Sequence, residues 1–272
     1  MRAFLLFVLL ASGLTPLYAA EPNPKSTVSI VLLAEPRLPD ATWFRQNLER
    51  RLAGRLKLSD VELSGSEAIS VRAGDNLVLV RLLDKPAPEN LVKDLCVNAW
   101  YWRQACEATA KHRAQAVVGV MQSSLDALDT RLLLTDAVNA ALDDNAIASY
   151  WLESLQSREA FLRQSEKISR DSPPIWLWVN FRVTNDVEKG FSLSTAGMYQ
   201  LGLSEIEAKD VNRPGREVFT LLIGMAQYLA SKGPVIKDGE TIGESPRLNI
   251  RVNQGPSYWR DGLTVYRVTW PK

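Results

Sequence analysis

After the first twenty residues, no apolar stretch of this 272-residue chain approaches the roughly 20 residues of a membrane span, because Arg, Asp, Lys or Glu interrupts each one. A chain so interrupted buries its helices along one stripe and its antiparallel strands on one face, and it must stack both in layers. The order of elements then narrows the class. Ser29 to Leu33 has strand propensity, and Pro39-Asp40 opens a helix carrying Trp43, Phe44, Leu48 and Leu52 at helical spacing. Val61 to Leu63 and Ile69 to Val71 are strand candidates. Gly74-Asp75-Asn76 makes a turn into the strand Leu77 to Leu83.

A helical region from Glu89 to His112 follows, broken near its aromatic centre, and then a buried strand from Ala116 to Met121. Leu125, Leu128, Leu132, Val138 and Leu142 mark one side of a helix, Asn145 to Leu152 reads as a strand, and Ser157 to Ile168 as a helix. Ser172-Pro173-Pro174 is the strongest internal punctuation. Beyond it, Ile175 to Val183 is predicted as a strand, with Trp176, Trp178, Asn180 and Arg182 on its second face. A strand near Ser204 to Glu207 precedes a helix opened by Pro214 and stopped by Gly233-Pro234. Leu248, Ile250 and Val252 alternate with polar residues, and Leu263 to Trp270 supplies the hairpin partner. The expected class is α+β, with antiparallel or mixed sheets and helices packed on one face. Two forms of it are open: one compact unit over 20–272, or two similar ferredoxin-like halves meeting near residues 123–174.

Met1-Arg2, the apolar run Ala3 to Ala11 and the small residues Ala19 and Ala20 read as a secretory signal cleaved after Ala19, with a periplasmic or secreted product that makes no stable membrane insertion. Without residues 1–19 the chain carries 31 basic and 31 acidic residues, which argues against a nucleic-acid partner. Cys96 and Cys106 would meet an oxidising compartment. On one straight helix they stand about 15 Å apart, too far to bridge. A turn near Asn98 to Tyr101 removes that objection, so a disulfide and two buried thiols are both open.

Several segments carry a resemblance: Ala99-Trp100-Tyr101-Trp102, Lys111-His112-Arg113-Ala114, Leu177-Trp178-Val179, Ser192 to Gly197, Gly202 to Glu207, and Gly233 to Gly243. From about Ser29 to Val268 the chain resembles a bacterial family of domains of unknown function. The resemblance implies an α+β fold and brings no catalytic role. Gln115 stands where many members carry a second histidine, which weakens any shared histidine pair.

The single histidine, His112, excludes a three-histidine metal site, and neither a phosphate loop nor a Gly-x-Ser-x-Gly elbow occurs. No metal and no cofactor is expected. Binding candidates are Trp100, Trp102, Arg103 and His112 in the first aromatic segment, where a helix would pair Arg103 with Glu107, and Trp176, Trp178, Asn180 and Arg182 in the second. Lys237 and Asp238 lie in a glycine-bearing turn. Asp143, Asp144, Glu205 and Glu207 are the carboxylates available for acid/base work. The leading functional reading is a non-enzymatic exported binding or protein-interaction protein whose partner is a protein or small ligand. A periplasmic toxin-immunity protein and a carboxylate-dependent envelope hydrolase are the alternatives.

Overall fold

The computed structural model describes residues 27–243 and 249–271; residues 1–19, expected to be a signal, and Leu248 lie outside them. The first half runs β1 (Thr27–Leu33), α1 (Ala41–Leu52), β2 (Leu63–Ser64), β3 (Ala68–Ala73), β4 (Asn76–Leu83), α2 (Glu89–Asn98), α3 (Ala105–Thr109), β5 (Ala114–Met121), α4 (Ala127–Ala141), β6 (Ala146–Trp151) and β7 (Ser154–Ser157). Its seven strands form one antiparallel sheet in the order β2-β3-β4-β5-β1-β6-β7. Asp40 starts α1 by accepting the Trp43 N–H at 2.9 Å, and Asp126 caps α4 through the Asp129 N–H at 2.9 Å.

Side chains of β1 alternate between two cores, as the pleat requires. Val31 and Leu33 face the main core, which α4 also enters with Leu134 and Val138. Leu32 faces the other way, into a cluster with Val92, Leu95, Cys96, Ala105, Ala148 and Leu155 under α2 and α3. Helices therefore cover both faces of the first sheet rather than the expected one. Arg51 of α1 and Arg55, just past its C-terminal end, both bridge the buried Asp136 of α4, at 2.9 and 2.5 Å, and tie the two segments together.

The second half runs α5 (Arg158–Gln164), α6 (Ile175–Trp178), β8 (Asn180–Asp186), β9 (Gly190–Ala196), β10 (Ile206–Val211), α7 (Gly215–Lys232), β11 (Thr241–Ile242), β12 (Ile250–Pro256) and β13 (Thr264–Thr269). Six strands make a mixed sheet, β11-β12-β13-β10-β9-β8, in which β10 and β13 are parallel. Against β9 and β10 lies α7, burying Val218, Leu222, Met225 and Leu229. The opposite face of this sheet carries a polar row in register, Arg182, Ser194, Glu207, Arg267 and Asn253. Strand number, order and orientation differ between the two sheets, so the halves are not copies of one ferredoxin-like unit.

The strand expected from Ile175 is not formed. Residues 175–178 make a helical turn started by Pro174, and extended backbone resumes at Val179. A helical turn places Ile175, Leu177 and Trp178 all in the core, which a strand's alternation forbids. Gly197 passes so close over this turn that a Cβ there would lie 2.7 Å from the Trp178 carbonyl oxygen, and its φ of 126° suits glycine alone. Trp178 also donates its indole N–H to Thr135 Oγ1 of α4 at 2.9 Å. One buried cluster thus includes Val31 of the first sheet, Trp178 and Val268 of the second.

Candidate functional site

The chain between α2 and α3 doubles back through three successive tight hydrogen bonds, Ala99 N–H to the Cys96 carbonyl, Trp102 N–H to that of Ala99, and Ala105 N–H to that of Trp102. This reversal brings the Cα atoms of Cys96 and Cys106 to 5.0 Å, and their sulfurs are bonded. The helix that would pair Arg103 with Glu107 is absent: Arg103 lies exposed in the turn, and Glu107 pairs with Lys111 at 3.5 Å.

The turn presents three aromatic residues to the rest of the molecule. Trp100 is 46% exposed and donates its indole N–H to the Phe181 carbonyl at 2.7 Å. Tyr101 donates its hydroxyl to the Leu155 carbonyl at 2.7 Å. Burial pushes the Tyr101 phenol up to about 12, so it is a neutral hydrogen-bonding group at physiological pH. Trp176, half-buried on α6, meets the Tyr101 ring at 6.2 Å, Phe181 at 5.1 Å and Phe219 of α7 at 5.0 Å. Two segments more than seventy residues apart in sequence thereby share one aromatic cluster.

Beside that cluster lies a cleft of about 290 Å³. Tyr101, Trp102 and Trp176 line it as aromatic walls, Gln156 and Ser157 of β7 contribute polar atoms, and α5 adds Ala160, Arg163 and Gln164. Gln156 is 2% exposed. Its Nε2 donates to the Trp176 carbonyl (2.9 Å), to Tyr101 Oη (3.3 Å) and to Ser154 Oγ (3.3 Å). Its Oε1 has no hydrogen-bond partner among the described residues. Among the cleft's eight lining residues there is no carboxylate, imidazole or thiol. The arrangement can hold a ligand by shape, apolar contact and hydrogen bonding, and it offers no side chain suited to general acid or base work at neutral pH.

The remaining candidates lie apart from the cleft lining. Trp178 is fully buried and has no surface to offer a partner. Asn180 is 2% exposed with Oδ1 unpartnered among the described residues, and Arg182 pairs with Glu153. Both nitrogens of His112 are committed: Nδ1 faces the Thr109 carbonyl at 2.6 Å, and Nε2 accepts the Ala87 N–H at 2.8 Å. The imidazole ties two backbone segments together instead of facing solvent as a base. Lys237 is exposed, and Asp238 accepts the Gln254 N–H at 2.7 Å, as a turn-forming carboxylate does.

The carboxylates are likewise occupied. Asp143 and Asp144 both hold Arg37, at 2.8 and 3.1 Å. Glu205 is buried and accepts from Thr195 Oγ1 at 2.6 Å and from the Gly197 N–H at 2.8 Å. Glu207 is also buried and accepts from Ser257 Oγ at 2.5 Å and the Tyr258 N–H at 2.7 Å, which fastens the β12–β13 loop over the polar sheet face. Sequence reasoning missed Gln156, Ser157 and the α5 residues, since only tertiary packing brings them to the aromatic turn.

Residues 194–268 match the family described as Domain of unknown function (DUF4261). That segment takes in Gly202 to Glu207, Gly233 to Gly243 and most of the second sheet, and it stops short of Trp100 to Trp102, Lys111 to Ala114, Leu177 to Val179 and the cleft. No curated protein and no solved structure matches the chain. No helix among the described residues is long and apolar enough to cross a membrane.

Proposed function

We propose that this is an exported binding protein that takes its ligand or partner at the aromatic cleft. The observation that carries the reading is the convergence of Trp100-Tyr101-Trp102 and Trp176 beside an open hollow that Tyr101, Trp102 and Trp176 line. Aromatic side chains that keep part of their surface in water anchor interfaces and ligand sites, because they offer large apolar area at small entropic cost. Export is supported by the sequence of residues 1–19. A carboxylate hydrolase is disfavoured because Asp143, Asp144, Glu205 and Glu207 each serve a structural hydrogen bond or ion pair away from the cleft. Toxin immunity would be one protein-partner form of the same binding reading.

Immobilised wild-type and Trp102→Ala proteins can be exposed to the same periplasmic extract, with unfolding midpoints measured in parallel. Material held by the wild type should fall about tenfold or more with the variant, the scale expected for an interfacial anchor. Equal capture by two equally folded proteins would overturn the reading.

A further inference from the structure

We propose that the cleft takes an anionic ligand, one that lays an apolar or aromatic body against Trp102 and Trp176 and presents a carboxylate to Arg163. The inference rests on the cleft being the binding site and adds the chemical class of what occupies it.

Of the eight residues around the cleft only Arg163 is charged, and it is exposed, so a ligand can reach it from solvent. Ser157, Ala160, Arg163 and Gln164 stand at i, i+3, i+6 and i+7, which puts them on one stripe that α5 and its N-cap turn toward the cleft. Glu159 precedes Arg163 by four residues, the spacing and order at which a glutamate and a cation pair most readily on a helix. No ion pair joins them. Arg163 has none with any described residue, whereas Arg51, Arg55, Arg170 and Arg182 are each paired. The one cation of the cleft therefore lacks a counter-ion, and a ligand's carboxylate would supply it.

The hydroxyl of Ser157 adds a donor. Its Oγ accepts the Ala160 N–H, and its proton has no acceptor among the described residues. The aromatic walls taken alone would also suit a cation, because the faces of Trp and Tyr attract positive charge. Arg163 repels one there, and no carboxylate in the lining offsets that repulsion. A neutral apolar ligand would fill the space against the walls but leave the guanidinium without a partner. A long polyanion has no apolar body for the walls, and the single cation offers it one contact. At about 290 Å³ the cleft is at the small end of ligand sites, which run from roughly 300 to 1,000 Å³, so it holds one ring system with its carboxylate.

The test uses the full protein and three probes of similar shape, 2-naphthoate, 2-naphthamide and 2-naphthylmethylammonium, in calorimetric titrations at neutral pH. The acid should bind about three- to tenfold tighter than the amide, the scale of one charge-assisted contact at an exposed rim, and the ammonium weakest of all. Arg163→Gln should remove that preference with the unfolding midpoint unchanged, and raised salt should shrink it. The indole N–H resonances of Trp102 and Trp176 should shift on titration while that of the buried Trp178 stays. Acetyl-glycyl-phenylalanine, as free acid and as amide, repeats the comparison, and the tighter of the two acids tells whether a free small acid or a peptide end is the source. Equal binding of acid and amide, tighter binding of the ammonium, or an acid preference that Arg163→Gln leaves intact would overturn the proposal. If no probe binds, the anionic class falls. The binding reading falls with it only if capture from extract is also independent of Trp102.

Discussion

The two aromatic segments that meet at the cleft are held by opposite means. Trp100-Tyr101-Trp102 lies on a turn between two short helices, and its position depends on the Cys96–Cys106 bond and on hydrogen bonds from Trp100 and Tyr101 to backbone carbonyls of Phe181 and Leu155. Ile175-Trp176-Leu177-Trp178 is a single helical turn anchored by the complete burial of Leu177 and Trp178. One side of the cleft is thus braced covalently at the surface, and the other is set by the core. Within the second segment, two residues separate the roles: Trp178 holds the turn, and Trp176 lines the cleft.

Trp178→Ala gives the largest effect. Removing a fully buried indole and its bond to Thr135 should cost about 3–5 kcal/mol in denaturant unfolding, with the whole protein affected. A loss under about 1 kcal/mol would mean that the core does not set this side of the cleft. The double variant Cys96→Ser, Cys106→Ser should cost about 2–3 kcal/mol, from the freedom returned to a short loop in the unfolded chain. Its native-state hydrogen exchange should rise at Ala99 to Ala105 and stay unchanged in α4; a uniform rise would erase the distinction between brace and core.

Tyr101→Phe is the mildest change, about 1 kcal/mol at pH 7 for one hydrogen bond. It has a pH signature of its own. Burial raises the folded-state phenol to about 12, while the unfolded chain titrates near the ordinary value of about 10. The contribution of Tyr101 is therefore complete below pH 10 and is lost as pH rises through 12, because the unfolded state ionises first. The gap between wild type and Tyr101→Phe should narrow over that interval, and a gap that stayed constant would show that the hydroxyl is solvated rather than buried.

Much of the scaffold could be read from periodicity. The spacing of Phe44, Leu48 and Leu52, the run Leu77 to Leu83 and the Pro214 to Gly233 helix all appear where the sequence places them. The break in the region Glu89 to His112 was also legible, because Trp100-Tyr101-Trp102 interrupts any single apolar stripe. At three segments tertiary context overrides the local pattern. At Ile175 to Val183, alternation of large apolar residues mimics a strand, yet Pro174 predisposes the next residues to a helical turn, and every one of Ile175, Leu177, Trp178 and Val179 is buried. At Ser154 to Ser157 and Gly190 to Ala196, small polar residues weaken strand propensity, and pairing with neighbours supplies what the local sequence lacks. The cleft was half legible: its aromatic residues stood out, whereas Gln156 and α5 reach it only through the packing of β7.

The place of β13 in the second sheet sets a constraint on how that sheet can assemble. It follows every other strand in chain order, yet among the described strands it is the one that pairs with both β12 and β10 and so joins the β11–β12 hairpin to β8-β9-β10. Its parallel contact with β10 joins Ile206 to Tyr266 across sixty residues, a closure that is slow compared with a hairpin. Until it forms, β10 has a free edge with unpaired backbone groups and Glu207 has no loop to fasten. A nascent chain would therefore carry an unfinished sheet with an open β10 edge, the kind of surface that recruits chaperones or other chains.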